Sequence, residues 1–357
     1  MLRDRVFVIA EAGVNHNGDL NRAFELIDVA AEAGADAVKF QTFSTEKLVT
    51  RSALKAPYQI KDANPGESQF EMLSNLELDY EAHHALKEYA EDNNLQFMST
   101  AFDSSSLKFL VDDLQLAVLK IPSGEITNGP LLIQHARSDR DLIISTGMST
   151  IEEILQALSV VSFGLVSKKD PSKEACQEVF NTEEGQQQLR DRVILLHCTS
   201  EYPASIDGIN LSAMVSIRDK FSLRVGYSDH SEGIAIPPLA VALGAQVVEK
   251  HFTLDRTLPG PDHAASLEPK ELKEMVTAIR VVERVLGNGV KEPAKGEKNN
   301  REAARKSLVA ARIIHKGEKF SADNLTAKRP GNGRSPMDYW SLIGKHAEKH
   351  YEADEFI

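Results

Sequence analysis

The chain has 357 residues, 42% hydrophobic and 26% charged, with a formal net charge of −12. This is the make-up of a globular protein large enough for one big domain and a small one. The acidic balance argues against the broad basic footprint of a nucleic-acid or anionic-membrane binder, although a few local lysines can still hold a small anionic ligand. The sequence holds no run of about 18 apolar residues, so no membrane span is expected, and its first residues lack an apolar h-region with a small-residue cleavage site, so export is not expected. With only Cys176 and Cys198 present, a reducing cytoplasm is the expected setting.

Along the chain, eight short apolar runs each end in polar or charged residues. FVIAE ends at Glu11, AVKFQT carries Lys39 and Gln41, and FMST ends at Thr100. AVLKIPSGE holds Lys120, Ser123 and Glu125; LIISTG holds Ser145 and Thr146; VILLHCT holds His197 and Thr199. VGYSDH holds Ser228, Asp229 and His230, and QVVEKHFT carries Glu249 and His251. Helix-like spacing fills the intervals, beginning with a helix over about Leu20 to Gly34 that Asn17-Gly18-Asp19 opens and Gly34 stops. Ser44 to Leu78 is too long and polar for an ordinary connection and is expected to be a lid or wall over the active face. Lys168 to Arg190 is expected to extend an outer helix, and the last helix of the series covers Pro269 to Leu286. Eight strand–helix units in roughly 250 residues predict an α/β fold, a (β/α)8 TIM barrel, whose C-terminal strand ends form the active face. The barrel domain is assigned to residues 1–287 and a polar linker to 288–306. Residues 307–357, with turn signals at Lys316-Gly317 and Gly331-Asn332-Gly333, form a small β-rich domain.

Several residues stand out chemically. Lys39 and Lys120 interrupt apolar strands; a lone strand-end lysine commonly snorkels to solvent. Two in one barrel, near Thr100, Ser123 and Ser145, point instead to a site for a phosphate and a carboxylate. His230 and His251 end consecutive strands, so their imidazoles should lie close enough for a divalent transition metal, with Asp229 and Glu249 orienting them. Glu11 and Glu125 fall at the barrel mouth, suited to sugar hydroxyls or proton transfer. Asp262 sits in a Pro/Gly-shaped loop, TLPGPDHAASLEP, and points at a ligand. His16 and His197 carry weaker signals, and His83 and His84 lie on a polar helix with no catalytic role expected.

EAGVNHNG, VKFQT, KIPSGE, STGMST, HCTSEYP, GYSDHS, EKHFT, LPGPDHAASLEP and KRPGNG, in that order, span the whole chain. With them the chain resembles the sialic acid (nonulosonic acid) synthase family, bacterial type. The resemblance implies a TIM barrel followed by an antifreeze-like (SAF) domain, in a domain-swapped homodimer. It implies condensation of phosphoenolpyruvate with an open-chain N-acylated hexosamine, with C–O cleavage and release of phosphate. By motif match, Lys39, Thr100, Lys120, Ser123 and Ser145 would hold phosphoenolpyruvate. Glu11, Gln41, Tyr202, Asp262 and, from a partner subunit, Arg329 would hold the sugar. His230 and His251 would hold Mn2+, or else Mg2+ or Co2+, while Glu125, Glu11 and Lys120 are the expected catalytic groups. Ser200 stands where some members have Asn, and its shorter hydroxyl would reach a phosphate through water. N-acetylmannosamine, giving N-acetylneuraminate, is the expected substrate. The alternative is a 2,4-diacetamido-2,4,6-trideoxymannose giving N,N'-diacetyllegionaminate. A silent carbohydrate-binding or coat-assembly protein on the same scaffold is the reading of a different class.

Overall fold

A computed structural model describes residues 5–55 and 68–357. The chain divides into two compact units, Met1–Gly287 and Asn288–Ile357. In the first, eight parallel strands close into a barrel in sequence order. They are β1 (Phe7–Gly13), β2 (Ala37–Thr42), β3 (Gln96–Ala101), β4 (Val118–Ile121), β5 (Asp141–Ser145), β6 (Val193–Cys198), β7 (Arg224–Asp229) and β8 (Val247–His251). The expected TIM barrel is thus the fold. β8 pairs back onto β1 with Glu11 opposite His251, and β1 pairs with β2 with Glu11 opposite Lys39.

The two-residue period of a strand divides each one between two environments. Phe40, Leu119, Ile121, Val225 and Tyr227 face the surrounding helices and join the large core between the two layers. Ile9, Ala37, Met98, Val118, Ile143, Ile194, Leu196 and Val247 turn inward and fill the barrel axis. Two residues further along the same inner face come Glu11, Lys39, Thr100, Lys120, Ser145, Cys198 and Glu249. The barrel is therefore plugged by an apolar layer, and a polar layer lies directly above it at the C-terminal mouth.

Local signals set the helices. Leu20–Ala33 is capped by Asp19, whose side chain accepts from Asn21 N, and it stops at Gly34 with φ 78°, a left-handed conformation that glycine adopts without strain. The helix Pro269–Leu286 has the expected bounds, with Pro at its first turn. Lys168 to Arg190 differs from expectation. The helix Ile151–Val166 ends where Ser167 turns extended, and two separate helices follow, Lys173–Phe180 and Glu183–Arg192. Asp170-Pro171 disfavours continuation, and Ser172 and Thr182 each cap a new start. Of the segment Ser44 to Leu78, residues 56–67 lie outside the described part; its described ends form the short helices Thr45–Leu48 and Gln69–Ser74.

In the second unit β9 (Ser307–Ala310) and β10 (Leu325–Lys328) pair antiparallel. A small core of Leu308, Ile314, Phe320, Leu325 and Tyr351 packs between them and the loops. The stretch read as linker contains an exposed helix, Glu297–Ala304. Among the described residues no helix is long and apolar enough to cross a membrane.

Buried histidines make folding sensitive to acid. His135 is 1% exposed, its Nδ1–H donates to Leu131 O at 2.9 Å, and burial holds its pKa down at about 4 from an ordinary 6.5. The folded value lies below the unfolded one, so the unfolded chain takes up the proton first. The contribution is complete above pH 6.5 and is lost as pH falls towards 4. In urea denaturation from pH 7.5 to 4.5, the stability gap between wild type and His135→Gln should narrow below pH 6.5. The slope should approach 1.4 kcal/mol per pH unit, about the value of one fully displaced proton; a constant gap would contradict a buried neutral imidazole.

Candidate active site at the barrel mouth

A cavity of about 590 Å3 opens above the polar layer, within the usual range for small-molecule sites. It is lined by residues from all eight strands or the loops that follow them. Lys39 Nζ pairs with Glu11 at 2.5 Å, donates to Thr100 Oγ1 at 2.9 Å and lies 3.6 Å from Glu249. Lys120 Nζ reaches Glu249 Oε1 at 3.0 Å, and Ser228 Oγ donates to the same oxygen at 3.0 Å. All four charges are buried. Adjacent strands dictate this: Glu11 is opposite Lys39, and Ser228 is opposite Glu249.

The two carboxylates respond differently. Burial opposes the ionisation of Glu249, but the ammoniums of Lys120 and Lys39 outweigh it and hold the group far below the usual range. Burial dominates at Glu11 and pushes it up to about 7 against the pull of Lys39. Such a group can hold or release a proton near neutrality. Burial also works against the Lys39 charge, yet Glu11 and Glu249 raise its pKa above the ordinary value.

Beside the lysines lies a hydroxyl-rich cradle. Ser145 Oγ is buried without a hydrogen-bond partner. Ser123 Oγ accepts from Gly147 N at 3.0 Å. A Cβ on Gly147 would come 2.2 Å from Ser200 Oγ and 2.7 Å from Ser123 Oγ, so only glycine leaves this space open. Glu125 follows on the turn Ser123–Glu125, where its Oε2 accepts from Asn128 at 2.7 Å. Gln41, two residues beyond Lys39 on the same face, and Tyr202 complete the lining.

His230 and His251 do come together, with ring centroids 5.4 Å apart. The Tyr202 ring lies 4.1 Å from that of His230, tilted by 34°. His230 Nδ1–H donates to Thr199 O at 2.8 Å, which leaves Nε2 as the free lone pair. His251 is held well below its ordinary pKa by burial, with His230 and Lys39 adding to the effect, so its ring is neutral. Its Nδ1 is buried, has no hydrogen-bond partner and lies 3.8 Å from Asp262 Oδ2. Burial pushes Asp262 up to about 6. Among the described residues no three His, Cys, Asp or Glu side chains gather as a metal cluster. Burial works against a charge on His230, but Cys198, the Thr199 carbonyl and Glu249 raise its pKa above the ordinary value, so a metal there would compete with a proton. Paired with the neutral His251 and its unpartnered nitrogen, it fits a divalent metal whose other positions would be filled by water and substrate oxygens.

Two expectations need correction. Asp229 does not orient an imidazole, because strand alternation turns it outward, where it pairs with the fully buried Lys250 at 2.7 Å. Glu249 is the counter-ion of the lysines, not a histidine partner. His83, with no catalytic role expected, is a fully buried structural residue: its Nδ1–H donates to Asp79 O and its Nε2 meets Thr42 Oγ1 at 2.9 Å, which ties its helix to β2. Arg329 belongs to the second unit, where its Nε donates to Ala304 O at 2.9 Å. Sequence reasoning placed Ser228 at a strand end but did not assign it to the lysine–carboxylate floor, and it missed Gly147. The inward register of Val247, Glu249 and His251 was the signal that could have placed Glu249 among the lysines.

The NeuB family model matches residues 26–291, and the SAF domain model matches residues 305–357. The chain belongs to the NeuB family. It is 49% identical to the N,N'-diacetyllegionaminic acid synthase of Campylobacter jejuni, over 99% of both chains. It is 45% identical to the enzyme of the same name from Legionella pneumophila, over 97% of this chain and 92% of that one. A solved N-acetylneuraminic acid synthetase from Leptospira borgpetersenii superposes with a TM-score of 0.67 at 36% identity, covering 83% of this chain and 90% of that one.

Glu249 carries the electrostatic balance of this NeuB-family floor. Glu249→Gln leaves two buried ammoniums facing one carboxyl and should destabilise the protein by about 3 kcal/mol, the usual scale for a broken buried pair. Adding Lys120→Met should recover part of the loss in urea denaturation. Strictly additive effects would mean that the pair is not coupled.

Proposed function

We propose that this protein condenses phosphoenolpyruvate with 2,4-diacetamido-2,4,6-trideoxymannose to form N,N'-diacetyllegionaminate and phosphate. This replaces N-acetylneuraminate as the expected product. The relatives at 49% and 45% identity carry the legionaminic name, whereas the N-acetylneuraminic acid synthetase is 36% identical. The observation that carries the reaction class is the juxtaposition of Lys39 and Lys120 with the His230–His251 pair in one cavity.

In this reading Lys39, Lys120, Thr100 and the Ser123–Ser145–Ser200 cradle bind the phosphate and carboxylate of phosphoenolpyruvate by charge-assisted hydrogen bonds. Gln41, Tyr202 and Asp262 orient the open-chain sugar, so that its aldehyde carbon faces the enol carbon. A divalent metal, Mn2+ by preference, held by His230 and His251, would polarise the aldehyde oxygen as a Lewis acid. The enol carbon bonds to the aldehyde carbon, and the resulting alkoxide takes up a proton. Water adds its oxygen to the cationic carbon left behind and gives up a proton, for which Glu11 and Glu125 are the placed carboxyls. The C–O bond to phosphate then breaks, leaving the 2-keto acid, while the lysines stabilise the departing dianion. Our proposal includes a homodimer in which Arg329 reaches the sugar from the partner subunit; its planar fork of donors suits an amide carbonyl.

Purified protein with Mn2+ and phosphoenolpyruvate should release phosphate with the diacetamido sugar at a kcat/KM at least about tenfold above that with N-acetylmannosamine. Faster turnover of N-acetylmannosamine would return the assignment to N-acetylneuraminate. His251→Ala should lose Mn2+ binding, followed by the paramagnetic resonance of free Mn2+, while keeping its circular dichroism spectrum. Wild-type metal affinity in that variant would remove His251 from the metal site.

A further inference from the structure

The cavity has two chemical faces. Besides the charged floor, Leu48, Val49, Met72, Leu73 and Leu76 line the cavity as an apolar wall. They come from the described ends of the Ser44 to Leu78 segment. Met72 and Leu76 pack with Val14 and Phe43 into a hydrophobic cluster separate from both barrel cores. The wall is anchored at both ends. Thr45 donates from N and Oγ1 to Glu77 Oε2 at 2.9 and 2.8 Å, and Ser44 N donates to Asp103 Oδ2 at 3.0 Å. A Cβ on Gly18 would fall 2.5 Å from Asn75 O, so the loop after β1 also presses closely on it.

We propose that this wall reads methyl groups of the sugar and makes the site selective for 6-deoxy, N-acylated hexosamines over their 6-hydroxylated counterparts. The inference rests on the reading that the cavity holds phosphoenolpyruvate and an acylated sugar. Phosphoenolpyruvate presents a phosphate and a carboxylate, which the ammonium and hydroxyl floor satisfies. The wall is left to the sugar. N-acetylmannosamine offers it one methyl and a C6 hydroxyl. The diacetamido trideoxy sugar offers two acetamido methyls and a C6 methyl. A hydroxyl set against Leu and Met side chains loses its water without gaining a partner, whereas a methyl gains by burial.

The test compares N-acetylmannosamine, its 6-deoxy analogue and the diacetamido trideoxy sugar, with phosphoenolpyruvate and Mn2+. The proteins are wild type, Leu48→Asn and Leu73→Asn. Both positions are half-buried, and thermal melts verify folding of each variant. Wild type should prefer the 6-deoxy analogue over N-acetylmannosamine by about 10- to 100-fold in kcat/KM, the range an apolar pocket achieves against an added hydroxyl. The variants should narrow that ratio to within about threefold and leave the KM for phosphoenolpyruvate unchanged. Calorimetric binding of the same sugars to protein loaded with phosphoenolpyruvate reads the ratio independently of turnover. A wild type indifferent to C6, or a ratio unmoved in both variants, overturns the wall as the selector. Use of the 6-deoxy analogue but not of the diacetamido sugar would instead sink the legionaminate reading and leave the wall standing.

Discussion

Four buried charges at the barrel mouth set the terms for the rest of the site. Lys39 and Lys120 share Glu249, and Lys39 also holds Glu11. Isolated charges at that depth would be costly. The cluster persists because its members come from β1, β2, β4 and β8 at the same height, and Thr100 and Ser228 fill remaining hydrogen-bond positions. Barrel closure is what makes the arrangement possible, since β8 pairs with β1 although they are separated by most of the domain.

The apolar layer below supports it. Ile9, Met98, Val118, Ile143 and Val247 fill the axis one step beneath the charges, so water cannot enter from below and the side chains have little room to relax. A floor of this kind is organised before any substrate arrives, the condition under which electrostatic stabilisation of a developing charge is most effective. The outward-facing Lys250–Asp229 pair does comparable work on the other side of β7 and β8, where Tyr227 and Ser231 also bind Asp229. It lies beside both His230 and His251 in sequence, so the strand ends that carry the imidazoles are held from both faces.

The cavity has two chemically distinct faces. Ammoniums and hydroxyls occupy the strand ends, and apolar side chains occupy the wall built from the long β2–β3 connection. The strands provide rigid chemistry and the connection provides a replaceable surface.

Much of this was legible in the sequence by itself. Short apolar runs ending in polar residues encode the barrel, because strand alternation and a buried axis require that pattern, and Asp19 with Gly34 marks the first helix through capping chemistry alone. The lysines and the paired histidines were visible as polar residues in places where burial is costly. Tertiary structure decided the pairings. Glu249 looks equally able to face a histidine or a lysine until barrel closure sets the register, and Asp229 is turned outward by one residue of alternation. His83 looks exposed on a polar helix until that helix packs on β2. The segment Ser44 to Leu78 was legible as a lid or wall over the mouth, but not which of its side chains line the cavity, because Leu48 and Met72 are ordinary residues in a polar stretch. They acquire meaning only when the chain folds back over the mouth, since hydrophobic contact depends on proximity in space and carries no signature in spacing along the chain.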